Sequence, residues 1–432
     1  TLALCADGTL AAWGRNNFGQ LGDGSQVDRF APVAVDLSGV LAGKRVIGMV
    51  AGGGHSLALC ADGTVAAWGV NSNGQLGDGT DSDSAVPVLV DQSGALAGKP
   101  VAAIAAAGSH SIALCRDGTV VTWGYNRRGQ LGNDTDDSSL LPIDIGDFGV
   151  LSGQTFTAIA AGEQSGLAIS SDGRVAAWGW NSNGQLGDGT TTSRPTAVWV
   201  AFPESMASKT VVGIATGYEH SIALFADGTM AAWGENSSGQ VGKGTTDYFD
   251  VRTPEFVLTE PVSSELPVVS VAAGSTHSMA LTINGKLMSW GYNRSGQLGD
   301  GTTDSRDIPE ILDAGALRTG ERVMAVDGGS SHTVALVASP PAPQPETLLA
   351  DDVDDTGATL RGLVNANGTL AAVRFEYGPT TDYGSTVAAS PVEVTGGISV
   401  PVSAVVSGLL ADTSYHFRVV AEGPGGAVAG ED

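Results

Sequence analysis

The dipeptide Trp-Gly recurs along this chain at a nearly constant interval of 55 residues, with one interval of 57. Its six tryptophans are Trp13, Trp68, Trp123, Trp178, Trp233 and Trp290. A fixed period of this length indicates one structural unit that is copied many times, with each copy burying its apolar faces against its neighbours. We therefore expect most of the 432 residues to belong to a single repeat architecture.

One repeat contains four short apolar segments separated by turn signals. Residues 55–60 and 65–69 flank Asp62-Gly63, and Asp-Gly between apolar runs predicts a β-hairpin. Residues 86–90 and 101–106 supply the third and fourth strands, and a Gly-rich loop precedes the third. Four-stranded units of this length protect most of their edges when they stack radially. The sequence thus predicts an all-β chain and a β-propeller of four-stranded blades.

Two motifs carry a family resemblance. Trp-Gly-x-Asn-x-x-Gly-Gln-Leu-Gly, followed by Gly-x-His-Ser-x-Ala-Leu, resembles the repeat of the regulator of chromosome condensation family over residues 1–339. The resemblance implies a propeller that usually has seven blades. Seven strands of the His-Ser-x-Ala-Leu type accompany only six Trp-Gly strands, which we interpret as six full repeats plus a closing strand. On this interpretation a seventh blade lies partly upstream of Thr1; a six-bladed ring is the alternative.

The sequence pattern changes after residue 339. Residues 340–345 form a Pro-rich stretch, which predicts an extended linker. Residues 346–432 resemble a fibronectin type III-like module of bacterial surface and secreted proteins, through segments 375–384 and 408–419. The resemblance implies a C-terminal β-sandwich, here truncated, in which Tyr415 is the tyrosine-corner residue.

Bulk composition excludes several function classes. The net charge is −25, whereas nucleic-acid binding requires clustered Lys and Arg, so we expect no nucleic-acid partner. No run of 18 apolar residues occurs, so we expect no membrane span in this segment. Three cysteines recur with the repeat and are interpreted as small buried side chains; a disulfide between neighbouring repeats would leave one thiol over. They are Cys5, Cys60 and Cys115.

The repeated polar and aromatic residues are interpreted as scaffold. The histidines are His55, His110, His220, His277 and His332, and Ser165 takes the missing place. A ring of imidazoles could bind a metal, but a serine is a poor substitute ligand, so we expect each histidine to hydrogen-bond within its own blade and fix a turn. The six Trp-Gly tryptophans are expected to pack blade against blade. The acidic loops do not match the calcium-loop spacing, and no catalytic motif is present, so neither metal, cofactor nor enzymatic activity is predicted.

Function is then expected where the repetition fails. The fourth and fifth repeats carry longer aromatic connectors, and aromatic residues with Arg are typical of interface hot spots. Local packing of a long loop is the alternative interpretation. The predicted partner-binding residues are Trp199, Phe202, Tyr248, Phe249, Arg252 and Phe256.

The leading hypothesis is a non-catalytic protein-binding or scaffold protein, bacterial and secreted or at the cell surface, with a partner that the sequence does not identify. One alternative is a regulator that promotes guanine-nucleotide exchange on a small GTPase, as the best-known member of the resembled family does; that reading predicts a cytoplasmic protein. Another is a propeller-type inhibitor of a secreted enzyme. The family also includes a plant ultraviolet-B photoreceptor with Gly-Trp-Arg-His-Thr motifs, which are absent here, so light sensing is not expected.

Overall fold

A computed structural model describes residues 1–246, 250–259, 267–312, 317, 321–339 and 341–432. The chain divides into two compact units. The first comprises Thr1–Ala280, Met288–Ile311 and Asp327–Val334, and the second comprises Leu281–Leu287, Leu312–Val326 and Ala335–Asp432.

The repeats form consecutive antiparallel sheets, each of which follows the chain order of its strands. The first sheet contains β1 (Leu2–Leu4), β2 (Leu10–Gly14) and β3 (Arg29–Ala34). The second contains β4 (Val46–Ala51), β5 (His55–Cys60), β6 (Val65–Gly69) and β7 (Ser84–Leu89). The third contains β8 (Val101–Ala107), β9 (His110–Cys115), β10 (Val120–Gly124) and β11 (Ser139–Asp144).

Three further four-stranded sheets continue the series. The fourth contains β12 (Phe156–Ala161), β13 (Ser165–Ser170), β14 (Val175–Gly179) and β15 (Arg194–Trp199). The fifth contains β16 (Val211–Thr216), β17 (His220–Phe225), β18 (Met230–Gly234) and β19 (Val251–Phe256). The sixth contains β20 (Val268–Ala273), β21 (His277–Thr282), β22 (Leu287–Gly291) and β23 (Arg306–Ile311). A two-stranded sheet of β24 (Arg322–Gly328) and β25 (Thr333–Ala338) follows.

The two middle strands of each complete sheet are buried along their whole length. Every residue of β5 and β6 is buried, and β9 with β10 repeats the pattern. When neighbouring layers cover both faces of a strand, its sequence is apolar at nearly every position and does not alternate. The sheets therefore stack as the blades of a β-propeller, and the predicted all-β propeller of four-stranded blades is confirmed.

The predicted hairpin turn is present between the middle strands. Asp62 Oδ1 accepts hydrogen bonds from the backbone N–H and the hydroxyl of Thr64, at 3.0 and 2.7 Å. Gly63 has a φ of +87°, which glycine adopts without the steric cost that other residues meet. The Asp-Gly pair thus fixes the register in which Leu59 opposes Val65.

Six sheets carry a Trp-Gly strand, as the six-bladed alternative requires, and the sheet β24–β25 lies where the closing strand was predicted. The grouping of strands differs from the sequence interpretation in one respect. The segment predicted as the fourth strand of one unit, residues 101–106, is the first strand of the next sheet, since β8 pairs with β9.

The C-terminal residues form one curled sheet of seven strands in the order β26-β27-β30-β29-β28-β31-β32. The strands are β26 (Gln344–Asp351), β27 (Gly357–Asn365), β28 (Thr369–Gly378), β29 (Ser385–Gly396), β30 (Ser399–Ser407), β31 (His416–Gly423) and β32 (Gly426–Ala429). β29 meets β30 only through Ser390 and Ser403, so the sheet bends there around its own apolar core. A β-sandwich was predicted; the structure has a single half-barrel-like sheet, and the fibronectin type III assignment stays a prediction.

Two local features bear on the predictions for this region. The Leu410 backbone N–H donates to Tyr415 Oη at 3.1 Å, which is the type of contact that a tyrosine corner makes. β26 begins at Gln344, so the stretch predicted as a linker already contains the first residues of a strand.

Helical structure within the described residues consists of two short 3₁₀ turns, Gly149–Leu151 and Glu204–Met206. None of the described helices has the length and apolar character needed to cross a bilayer.

Candidate functional site

The backbone carbonyl of a recurring glutamine joins each of the first five sheets to the next one. Gln75 O accepts one hydrogen bond from Trp123 Nε1 and one from Ser111 Oγ, both at 2.9 Å. Gln75 belongs to the loop after β6, whereas Trp123 and Ser111 belong to the following sheet. The tryptophan contact recurs for Trp68, Trp178, Trp233 and Trp290 with Gln20, Gln130, Gln185 and Gln240. These five indoles are fully buried, whereas Trp13 is only half-buried.

The repeated histidines also act between blades. His55 Nε2 lies 2.9 Å from Ser111 Oγ, and His220 Nε2 lies 2.9 Å from Ser278 Oγ. His277 makes the same contact with Thr333 Oγ1 at 3.0 Å. The expectation that each histidine bonds within its own blade was therefore wrong, because the imidazole points across the blade interface. His332 occupies the equivalent place but is exposed.

The interface between β8–β11 and β12–β15 has the histidine but lacks this contact. His110 is fully buried, and no side chain among the described residues forms a hydrogen bond with its ring. The serine of the next blade is replaced by Gly166, where a Cβ would lie 2.4 Å from the Trp178 ring. Ala107 also replaces the glycine that elsewhere lies beneath the histidine ring. This interface is thus built differently from those that His55, His220 and His277 bridge.

Burial keeps the interface histidines neutral. Removal of the imidazole from water lowers the pKa of His55 and His220 to about 3, and that of His110 and His277 to about 4. The unfolded chain binds a proton at each ring near pH 6.5, so it holds more protons than the folded chain below that pH. The stability due to these histidines is therefore complete above pH 6.5 and is lost as the pH falls through about 4 for His110 and His277 and about 3 for His55 and His220.

We expect the free energy of unfolding to fall steeply between pH 6.5 and pH 4.5, by up to about 1.4 kcal/mol per pH unit for each buried histidine. Urea unfolding at several pH values measures this slope. His220→Gln removes one titrating ring and is expected to flatten the slope. His332→Gln, at an exposed position of the repeat, is the matched control. An unchanged slope in His220→Gln would contradict the neutral, buried assignment.

Buried amides hold the Gly-rich loops, a role that the sequence interpretation missed. Asn71 Nδ2 donates to Asp78 Oδ1 at 3.1 Å and to Thr80 O at 3.0 Å, while its Oδ1 accepts from the Leu76 N–H at 2.9 Å. The equivalent asparagines of all six repeats are buried. The strict recurrence of Asn in the loop was the signal that could have revealed this. Asp78 is thus a turn acceptor, and within the described residues no group of three or more acidic, His or Cys side chains could hold a metal ion.

The three cysteines are free thiols. Cys60 and Cys115 are buried as predicted, and burial raises the pKa of both. Cys5 is exposed, which corrects the prediction for that residue; it follows β1, whose residues are only partly covered.

The first strands of successive blades line a common channel of about 270 Å³. On one side the channel is lined by glycines, which carry no side chain: Gly53 and Gly108, each two residues before the histidine of its repeat. At the same position the later blades present Glu163 and Tyr218, and Asp327 lines the channel from β24. Among the described residues that line it, none is Lys, Arg or His. The channel is therefore polarised, with its acidic and hydroxyl groups on one side.

The pKa values of two carboxyl groups in the channel, Glu163 and Asp327, are raised, so their ionised forms are disfavoured. Burial raises the pKa of Glu163, and a hydrogen bond from the Gly108 backbone N–H acts in the opposite direction. The surrounding channel walls raise the pKa of Asp327, although its side chain keeps contact with solvent. A cationic group in the channel would relieve both.

Two residues that break the repeat, Glu163 and Tyr218, line this channel. We define the turn face by the turns between the first two strands of each blade and by the residue after each Trp-Gly. The two sets are adjacent, because the Trp180 N–H donates to Gln164 O and the Tyr292 N–H donates to Thr276 O, at 2.8 and 3.0 Å. The face presents aromatic side chains at unequal spacing: Tyr125, Trp180, Tyr218 and Tyr292. The Arg128 guanidinium lies 5.2 Å from the Trp180 ring centre.

An acidic pair adjoins Tyr218 on the turn face. The Glu235 N–H donates to Glu219 O at 2.8 Å, which keeps the two residues side by side. Burial, then the charges of Glu235 and Asp250, raise the pKa of Glu219. Asn183 Nδ2 of the preceding blade donates to Glu219 Oε2 at 2.7 Å. Aromatic rings, an arginine and unneutralised carboxylates thus share one face.

The predicted partner-binding residues are only partly brought together. Phe202 packs against Phe225 and Trp233, with ring centres 5.8 and 5.9 Å apart, and Phe256 lies 6.5 Å from Phe225. Both therefore serve packing, the alternative that the sequence left open. Trp199 lies apart from them, on β15 beneath the Arg174 guanidinium at 3.9 Å. Arg252 is exposed on β19, while Tyr248 and Phe249 lie outside the described residues.

Comparison with known proteins agrees with this architecture. The model of the RCC1-like domain family matches residues 1–335. The ultraviolet-B receptor UVR8 of Arabidopsis thaliana is 32% identical over 323 residues, which cover 75% of this chain and 68% of the receptor. The E3 ubiquitin-protein ligase HERC2 of Homo sapiens is 32% identical over 342 residues, which cover 79% of this chain but 7% of the ligase.

Solved structures show the same propeller. Human WBSCR16 is 27% identical, with a TM-score of 0.66, and the match covers 78% of this chain and 83% of that one. Prp20p from Saccharomyces cerevisiae, described with its binding properties to Gsp1p and histones, is 22% identical with a TM-score of 0.50. That match covers 78% of this chain and 93% of Prp20p, and it concerns the fold alone.

Proposed function

Since this chain belongs to the RCC1-like domain family, we propose that it is a non-catalytic protein-binding propeller whose turn face holds the partner. The observation that carries the proposal is that off-repeat aromatic and acidic residues share the turn face, where Glu163 and Tyr218 also line the channel. Interfaces use aromatic and Arg side chains as hot spots, and charge complementarity selects the partner.

The charge of the turn face defines the chemistry of the partner. Glu219 and Glu235 repel one another, and Glu163 faces a channel lined by no cationic side chain among the described residues. A basic segment would lower this repulsion, and the net charge of −25 attracts it over longer distances. We therefore expect a partner that inserts Lys or Arg side chains at the channel mouth.

Replacement of Glu219 and Glu235 by Gln is expected to weaken partner binding at least tenfold, because it removes both charges while keeping hydrogen-bonding groups. The partner is first captured with a photo-crosslinking amino acid at position 218, with position 393 of the C-terminal sheet as control. Affinity is then measured by titration calorimetry. The matched control, Glu346→Gln with Glu393→Gln, changes the net charge equally. Equal affinity of both double variants would rule out the turn face.

The outer strands supply the alternative face. Trp199 and Arg252 lie there, and Arg252 is solvent-exposed. Loss of binding in the variant Trp199→Ala with Arg252→Ala, together with normal binding in the turn-face variant, would assign the partner to that surface.

Two other activities remain as competing proposals. Exchange activity on a small GTPase is supported by the family, and accelerated nucleotide release from a captured GTPase would establish it. Inhibition of a secreted enzyme would appear as loss of that enzyme's activity on binding. We further propose an extracellular or cell-surface location in a bacterium, which protease accessibility on intact cells tests; protection from protease would favour the cytoplasmic alternative.

A further inference from the structure

The curled C-terminal sheet contains a groove of about 510 Å³ at one end of its own core. Its floor is apolar and includes Leu360, Val406 and Phe417, of which Leu360 and Val406 are almost completely buried. Concave sites of this size with mostly apolar walls bind apolar groups of ligands.

The rim of the groove is acidic. Asp354, Asp355 and Asp412 border it, and no Lys, Arg or His is among the described residues that line it. Asp354 Oδ1 accepts hydrogen bonds from the Thr356 N–H and hydroxyl, at 2.7 and 3.0 Å, and these bonds lower its pKa. Asp354 is therefore ionised at neutral pH. Because the floor is apolar and the rim is negatively charged, the groove is complementary to a ligand that has both an apolar part and positive charges.

The groove is preformed and accessible. The hydrogen bond from the Leu410 N–H to Tyr415 Oη fixes the loop that makes one wall. Val353 and Leu410 stand at the mouth with 70% and 69% of their surface exposed. Large apolar side chains at such exposure beside a concave apolar site are typical of a binding surface.

We propose that this groove binds an extended peptide segment of a partner protein, with an apolar side chain on the floor and flanking Lys or Arg side chains at the acidic rim. A second copy of the chain does not fit, because two acidic rims would face one another at a net charge of −25 each. The floor selects apolar residues and the rim selects their basic neighbours.

The test uses the full chain and two fluorescein-labelled peptides, Arg-Leu-Trp-Leu-Arg and Glu-Leu-Trp-Leu-Glu, in an anisotropy titration. We expect the basic peptide to bind at least tenfold more tightly, with an affinity that falls as salt rises. Asp355→Asn with Asp412→Asn is expected to weaken it about tenfold. Val353→Ser with Leu410→Ser, at exposed positions, is expected to weaken both peptides.

A turn-face control separates this proposal from the function proposed above, because a basic peptide could also bind there. The variant Glu219→Gln with Glu235→Gln is expected to leave peptide affinity unchanged. Loss of affinity in that variant, with normal affinity in the two groove variants, would overturn the groove proposal. Equal affinity for the two peptides would also overturn it.

Discussion

Trp123→Ala is expected to lower the free energy of unfolding by about 3–5 kcal/mol, the range typical of truncating a large buried aromatic side chain. The indole is fully buried between two blades, and its Nε1 satisfies Gln75 O. The substitution therefore leaves both a cavity and a weakened inter-blade contact. Urea unfolding followed by circular dichroism measures the loss.

Trp13→Ala is the matched control for this prediction. Trp13 has the same place in its repeat, but its side chain is only half-buried. We expect it to lose less than half as much stability, because less apolar surface returns to water. Equal losses of unfolding free energy in the two variants would show that burial of the indole between blades is not the source of its stabilising effect.

Gly217→Ala is expected to cost about 2–4 kcal/mol, because the added Cβ has no space. It would lie 2.3 Å from His220 Cε1 and 2.5 Å from the Gly274 carbonyl oxygen. Relief requires the imidazole to move away from Ser278, so the contact between blades is lost with it. Thermal unfolding measures the change, and a crystal structure of the variant would show the displaced ring.

Ala107→Gly is the matched control for the close approach. Ala107 occupies the same position in the blade whose histidine, His110, lacks the serine contact. We expect a change of less than about 1 kcal/mol, which is the backbone cost of glycine in a strand. If Gly217→Ala were equally mild, the tight fit between glycine and histidine would be refuted.

The repeat made much of the fold predictable. Asp-Gly turns, short apolar runs and the Trp-Gly interval each depend on neighbours that lie close in sequence, so the hairpin of β5 and β6 could be read directly. Knowing which residues correspond in different repeats, however, does not show which blade a side chain contacts. His55 reaches Ser111, 56 residues away, and that contact becomes visible only after the blades are stacked.

The candidate site was harder to predict for the same reason. Because Phe202 and Phe256 lie in long aromatic connectors, they were predicted to bind a partner, but both pack on Phe225. The residues that share the turn face, such as Glu163 and Tyr218, each replace a glycine found at the same position of other repeats, and they lie far apart in the sequence. Their proximity depends on the closure of the first strands around a channel, and spacing along the chain does not show it.

We propose that repeated residues stabilise the propeller while off-repeat residues of the turn face bind the partner. The most direct test of this proposal measures thermal stability and partner affinity together for Trp123→Ala and for Glu219→Gln with Glu235→Gln. We predict a large loss of stability in the first variant, and at least tenfold weaker binding with little change in melting temperature in the second. Normal binding by the second variant would contradict the claim.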